Sequence, residues 1–202
     1  MDLFIDIETV KWELDGWLES LRDLKYREKH NAAYWLHAEF WKILCISVWY
    51  KCPGTEEFKT KSFSWEEKTL LVDFFSIIKY NTCLIWHNIL WFDLPFITKR
   101  ALIHGLKIPA WINTTGKKPW EVVHKDTMIL RKFTWWSPTS LDVLCRVLWI
   151  DTPKDGIVTW EDLQEFRDSD AENKLEHIVE YCERDVVATY EVYQKMKESL
   201  WI

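Results

Sequence analysis

Seven residues near the start of the chain, Leu3-Phe4-Ile5-Asp6-Ile7-Glu8-Thr9, read as a β-strand that leaves few options for its surroundings. Side chains alternate along a strand, so Leu3, Ile5 and Ile7 share one face while Phe4, Asp6 and Glu8 share the other, the two carboxylates about 7 Å apart along the backbone. The segment is otherwise apolar, yet a buried carboxylate without a partner is costly. The acid-bearing face therefore either opens to water or gathers negative charge around a cation.

With 202 residues, the chain is expected to form a single domain over residues 1–202 with a substantial core. Hydrophobic residues at 48% and charged residues at 29% exclude a disordered chain. No apolar run reaches the ~20 residues that a membrane helix needs. Met1 is followed by Asp2 rather than by a basic segment and an apolar signal core, so a cytoplasmic protein is expected. Cys45, Cys52, Cys83, Cys145 and Cys182 are scattered without a CxxC pair, which suggests neither a zinc site nor a disulfide framework. The net charge of −6 argues against a large non-specific nucleic-acid surface. It leaves room for a nuclease that gathers acids around metals and keeps basic residues at the rim.

Along the chain, Leu14, Trp17, Leu18, Leu21 and Leu24 recur at three and four residues, which predicts an amphipathic helix continuing, with a break, towards Phe40. Ile43 to Tyr50 and Phe58 to Phe63 read as strands joined through the turn Cys52-Pro53-Gly54-Thr55, an antiparallel hairpin beside the first strand. Ser64 with Glu67 has the capping-box pattern of a helix carrying Leu70, Leu71, Phe74, Phe75 and Ile78. A short apolar strand, Thr82 to Trp86, leads into His87-Asn88-Ile89-Leu90-Trp91-Phe92-Asp93-Leu94-Pro95-Phe96. There Asp93 stands just before a proline-started helix that ends near Gly105. Asn113 to Pro119 reads as an exposed basic loop and His124 to Met128 as a last strand holding Asp126. Thr139 with Asp142, and Thr159 with Asp162, have the pattern of two further capping boxes. The final helix is expected from about Asn173 to Leu200, its buried stripe including Ile178, Cys182, Val186, Thr189, Tyr193 and Met196. This order of strands and helices predicts an α/β layered domain.

On that last helix Tyr181 and Asp185 stand four residues apart and share a face, while Glu183 and Arg184 point elsewhere, into solvent. Taken alone, Asp185 can pair with a lysine and Tyr181 can simply pack. Asp93 likewise has a local reading as the N-cap of a helix starting at Leu94. His87 reads as a hydrogen-bonded loop residue rather than a ligand. The combination and its order change the weighing. Phe4-Ile5-Asp6-Ile7-Glu8-Thr9, the segment from His87 to Phe96, and Tyr181-Cys182-Glu183-Arg184-Asp185-Val186-Val187-Ala188-Thr189 together resemble the three motifs of the DEDDy class of 3′-5′ exonucleases. Specifically, the chain is similar to stand-alone relatives of the proofreading exonuclease domain of family B DNA polymerases.

The resemblance implies a ribonuclease H-like α/β fold, with a mixed sheet, an antiparallel hairpin on one edge and helices on both faces. It also implies metal-dependent hydrolysis of phosphodiester bonds from the 3′ end of DNA by two divalent ions, Mg²⁺ or Mn²⁺. The reaction needs an activated water and a stabilised leaving oxyanion, and two ions about 4 Å apart can serve both ends of an in-line displacement. Such ions are hard and take oxygen ligands. By resemblance the metal ligands are Asp6, Glu8, Asp93 and Asp185: Asp6 bridges both ions, Glu8 and Asp185 complete the site of the attacking water, and Asp93 serves the second ion. Tyr181 would orient the nucleophile, and Thr9, Asn88 and Phe92 are the implied substrate contacts. Single-stranded DNA 3′ ends are the implied partner, and a polymerase or repair partner leaves no mark in the sequence. RNA is the second substrate class, because recognition of a 2′-OH cannot be read from these motifs. A catalytically silent nucleic-acid-binding domain of the same fold is the second functional class.

Fifteen tryptophans stand against five glycines, where average usage of ~7% would give about fourteen glycines. The family usually carries glycine before His-Asn and before Phe-Asp, where this chain has Trp86 and Trp91. Trp41, Trp49 and Trp149 also stand where glycine is expected. Trp149 follows the helical stripe Leu141, Leu144, Cys145 and Leu148, a place where helices commonly end in a left-handed residue that a bulky side chain resists. An indole beside the second motif either fills the space that a terminal nucleotide needs or stacks on its base.

Overall fold

The computed structural model describes residues 1–11, 20, 37–132, 138–155 and 172–200. The first strand, β1 (Asp2–Lys11), carries apolar residues on both faces between its acids and lies at the centre of a five-stranded sheet. It pairs antiparallel with β2 (Trp41–Lys51), which pairs antiparallel with β3 (Phe58–Phe63). On its other side it pairs parallel with β4 (Cys83–Trp86), and β4 pairs parallel with β5 (Lys125–Asp126). The order β3-β2-β1-β4-β5 is the mixed sheet, with its hairpin on one edge, that the resemblance implies.

Five α-helices are described: α1 (Glu67–Ile77), α2 (Asp93–Ile103), α3 (Thr127–Lys132), α4 (Leu141–Val147) and α5 (Glu172–Leu200). Phe4 meets the rings of Tyr190 and Tyr193 at 5.2 and 5.6 Å, so α5 lies across the face of β1 that also carries Asp6 and Glu8. Alternation turns Leu3, Ile5 and Ile7 to the opposite face, and all three are buried. α1 and α2 lie against β2. Each fully buried aliphatic side chain of this kind contributes roughly 1.5–3 kcal/mol. A smaller apolar cluster joins Leu144, Cys145 and Ile150 to Ala188, Val192 and Met196 on α5. Among the described residues no helix is long and apolar enough to cross a membrane.

Helix boundaries depart from the sequence expectation where a side chain has a better partner elsewhere. α1 is capped by Glu66, whose carboxylate accepts from the N–H groups of Lys68 and Thr69 at 3.1 and 3.0 Å, so the Ser64–Glu67 box does not form. Glu67 is taken by a buried ion pair. Its Oε1 accepts from Arg100 Nε at 2.8 Å and Ile43 N at 2.6 Å, and its Oε2 from Arg100 Nη2 at 2.5 Å and His104 Nε2 at 2.7 Å. Burial alone would raise the Glu67 pKa, but these donors hold it below the usual carboxylate range. Ser140, not Thr139, caps α4, while Asp142 accepts from Arg146 and Thr152 instead. The strand expected over His124 to Met128 stops at Asp126, because Thr127 already opens α3. The apolar stripe predicted from Leu14 to Leu24 and the Thr159–Asp162 box lie outside the described residues, and the residues before β2, 38–40, form a turn rather than the end of a helix.

Two helices end in the same way on different residues. After α2, Gly105 takes φ +66°, with Gly105 N donating to Leu102 O at 3.0 Å and Leu106 N to Ala101 O at 2.8 Å. After α4, Trp149 takes φ +58°, with Trp149 N donating to Arg146 O at 3.3 Å and Ile150 N to Cys145 O at 2.9 Å. Both are Schellman caps, and in the second an indole stands where glycine is favoured.

Candidate active site

The acids of the first strand are buried by the helix that crosses it. One carboxylate oxygen each from Asp6, Glu8 and Asp185 lie within 4.8 Å of one another, and all three residues are buried. Asp6 and Glu8 share a face through strand alternation, and Asp185 comes down on them from α5. At this level the β1–β2 register slips, Glu8 pairing with Cys45 and Thr9 with Ile43, which leaves Leu44 as an extra residue. Bulges of this kind redirect a strand, and here the bend falls beside the acids.

Asp93 reaches the same region from the first turn of α2, not from its N-cap, a position that Phe92 occupies. It is 0% exposed, and neither of its carboxylate oxygens, nor Asp6 Oδ2, meets a hydrogen-bond donor among the described residues. Asp93 lies outside the tight group of three, yet its charge acts on both Asp6 and Glu8. Burial pushes Asp6 and Glu8 well above the usual carboxylate range, and the neighbouring acids push them further. Burial also raises Asp93, and it lifts Asp185 to about 7 against the opposing hydrogen bond from Tyr181. Carboxylates so close together cannot all ionise in a site shut off from water unless positive charge joins them. An all-oxygen donor set with unpaired buried lone pairs fits a hard divalent cation.

Tyr181 is half-buried and its hydroxyl donates to Asp185, one helical turn on. Burial, together with the charges of Asp185, Glu8 and Asp6, raises its pKa far enough to keep the phenol protonated. Glu183 is not free in solvent: it accepts from Ser62 Oγ at 2.5 Å and ties α5 to β3. Arg184 is exposed and pairs with Glu180.

The segment between β4 and α2 is fixed by its neighbours. His87 Nε2 donates to Thr139 O at 2.6 Å, leaving Nδ1 to accept from Thr127 Oγ1 at 2.9 Å, so both ring nitrogens are used and the residue is structural, as expected. Asn88 is half-buried, Phe92 meets the ring of Phe96 at 5.5 Å and a tilt of 55°, and Thr9 is buried beside Glu8. The two tryptophans of this segment differ. Trp86 is 6% exposed and packs in the core, whereas Trp91 is 62% exposed. Sequence reasoning missed Asp126, whose buried carboxylate accepts from the N–H groups of Asn88 and Leu90. An aspartate directly before a helix is a capping signal, and reading 124–128 as one strand hid it.

Residues 33–199 match the model of a family described as "Predicted 3'-5' exonuclease related to the exonuclease domain of PolB". The chain belongs to this family. The match covers the second and third motifs expected of this exonuclease family and begins after Asp6 and Glu8, which the fold nonetheless brings to Asp185. Among solved structures, the chain is similar to the family B DNA polymerase from the hyperthermophilic archaeon Pyrobaculum calidifontis, with a TM-score of 0.58 and 15% identity. The similarity covers 96% of this chain and 24% of the polymerase chain, so the exonuclease-family protein spans about a quarter of that polymerase's length. At this identity the likeness shows the fold, the ribonuclease H-like mixed sheet with helices. No curated protein matches the sequence at a significant level.

Proposed function

We propose that the chain hydrolyses phosphodiester bonds from the 3′ end of DNA, with Mg²⁺ or Mn²⁺ held by Asp6, Glu8, Asp93 and Asp185. The observation that carries this reading is the convergence of buried carboxylates with unpaired oxygens in a member of a 3′-5′ exonuclease family. Asp6, Glu8 and Asp185 suit one ion, and Asp93 with Asp6 a second; bound there, the ions would lower the pKa of a water and stabilise the leaving oxyanion. Tyr181 serves as a hydrogen-bond donor beside Asp185. Its hydroxyl holds the Asp185 carboxylate in one orientation and lies where an attacking water is to be aligned. Thr9, Asn88 and Phe92 line the approach of the terminal nucleotide, Phe92 offering a ring face to a base. DNA is favoured over RNA on the kinship with the exonuclease domain of a DNA polymerase.

The deciding experiment follows 3′-labelled and 5′-labelled single-stranded DNA and RNA oligonucleotides with Mg²⁺, Mn²⁺ or EDTA. Stepwise shortening of DNA from its 3′ end, dependent on metal and reduced by orders of magnitude in Asp6→Ala at unchanged fold, is the expected result. Shortening of RNA alone would reassign the substrate. Binding of oligonucleotide and metal without cleavage would make this a silent domain.

A further inference from the structure

Asp93 is buried in the acid pocket with no donor among the described residues to hold its carboxylate, so its aim depends on the backbone that leads to it. That backbone is irregular. Asn88 has φ +73°, a left-handed conformation that residues other than glycine seldom adopt and that persists only when the surroundings impose it. The N–H groups of Trp91 and Phe92 fold back onto Asn88 O at 3.2 and 3.0 Å, and Leu94 N donates to Ile89 O at 3.1 Å. The N–H groups of Asn88 and Leu90 instead leave the segment and meet at one residue on the neighbouring strand. Asp126 Oδ1 accepts from Asn88 N at 3.0 Å and Oδ2 from Leu90 N at 3.2 Å. The same Oδ1 accepts from Met128 N at 2.9 Å and Ile129 N at 3.4 Å, which caps α3. Asp126 is itself 2% exposed.

We propose that Asp126 is a positioning residue for the metal site: by gripping Asn88 and Leu90 it fixes the segment whose continuation carries Asp93, and so sets where the Asp93 carboxylate lies relative to Asp6. The catalytic consequence rests on the exonuclease reading; the effect on the metal site does not. The grip needs a carboxylate, because the two loop amides are taken by different oxygens. In Asp126→Asn one oxygen becomes an NH₂ group, so a donor faces either Leu90 N–H or the N–H groups of Asn88, Met128 and Ile129, and neither orientation of the amide serves both. A residue that merely capped α3 would tolerate serine, whose hydroxyl caps a helix but is too short to reach Leu90.

The test compares wild type, Asp126→Asn and Asp126→Ser in three measurements: amide hydrogen exchange at Leu90, calorimetric titration with Mn²⁺, and kcat and KM on a single-stranded DNA oligonucleotide. Leu90 N–H should exchange slowly in wild type and fast in both variants. Mn²⁺ affinity and kcat should fall about 10- to 100-fold, the usual cost of losing a group that orients a metal ligand. KM should stay within about twofold, and Asp126→Ser should stay folded but melt below wild type, since the cap is retained while the bonds to the two loop amides are lost. An Asp126→Ser protein with wild-type Mn²⁺ affinity and kcat would overturn the proposal. So would a Leu90 amide that already exchanges fast in wild type, a result that needs no variant to fold. Wild type that binds Mn²⁺ but cleaves nothing overturns the exonuclease reading alone, and Asp126 is then judged on metal affinity and exchange.

Discussion

The hydroxyl of Tyr181 separates packing from chemistry in a single atom. Tyr181→Phe keeps the ring and removes only the donor to Asp185, so kcat should fall about 100-fold, within the range for a group that assists proton transfer, while the melting temperature barely moves. Stopped assays beside thermal melts check this, and a destabilised variant with normal kcat would make the tyrosine structural. The acids around it make a second prediction, with a definite sign. Asp6, Glu8, Asp93 and Asp185 all have folded-state pKa values raised above their ordinary ones. The stability linked to them is complete below about pH 4 and is lost as pH rises through the folded values, about 7 for Asp185. Glu67, held low, loses its contribution only below the ordinary carboxylate range, outside this window. Burial holds His87 and His124 below the ordinary imidazole value, so they act in the opposite sense in this window, and the acids show in the difference: as pH rises from about 5 to 8, metal-free protein in EDTA should fall further behind protein in saturating Mg²⁺ in melting temperature. Equal slopes in calorimetry with and without the ion would contradict the metal assignment. Trp91 and Trp86, one exposed and one buried, should respond oppositely to glycine. Trp91→Gly removes an exposed indole next to Phe92 and should raise the cleavage rate at unchanged Mn²⁺ affinity, whereas Trp86→Gly empties core volume and should cost about 3–5 kcal/mol in urea unfolding. A slower Trp91→Gly enzyme would show that the indole holds substrate.

At the level of elements, the matched ends of α2 and α4 isolate the effect of one side chain on a helix stop. Trp149 is 92% exposed, so its indole has little packing to offset a left-handed backbone that disfavours L-residues by about 1–2 kcal/mol. Trp149→Gly should stabilise the protein by about 1 kcal/mol, or about 3 °C in melting temperature for a chain of this size. Trp149→Ala, which keeps a Cβ, should gain much less, and equal gains would place the effect in the indole rather than the backbone. This position was legible in the sequence, because the stripe from Leu141 to Leu148 marks where the helix must stop. The starts of helices were less legible. Ser64 and Thr139 both have the right residue three positions downstream, but Glu67 is claimed by Arg100 and Asp142 by Arg146 and Thr152. A local pattern cannot register a competitor that arrives from another element.

For the molecule as a whole, Glu67 and Arg100 tie α1 to α2 and, through Ile43 N and Ala38 O, to the start of β2. Arg100→Met leaves a buried carboxylate with its main partner gone and should cost about 3–5 kcal/mol, while Glu67→Leu with Arg100→Met should recover much of it; denaturant curves on the three proteins would decide. If the double variant is no better than the single, the network does more than neutralise charge. Distance along the chain also explains which parts of the site could be read beforehand. Asp6 and Glu8 share a face by alternation, and Tyr181 and Asp185 by helical spacing, but it is the three motifs together, in their order, that single them out. Asp126 grips a segment 36 residues away at Leu90, and nothing local to either residue records the pairing. The two ends of the sheet carry a separate consequence. On the outer strand β3, Lys59, Thr60 and Lys61 are exposed in a row, and at the other end β5 is two residues long. A strand from a second molecule would have to bury two ammonium groups at one side and would find almost no free ladder at the other. Concentrated solutions of this protein should accordingly resist templated, fibre-like growth along the sheet.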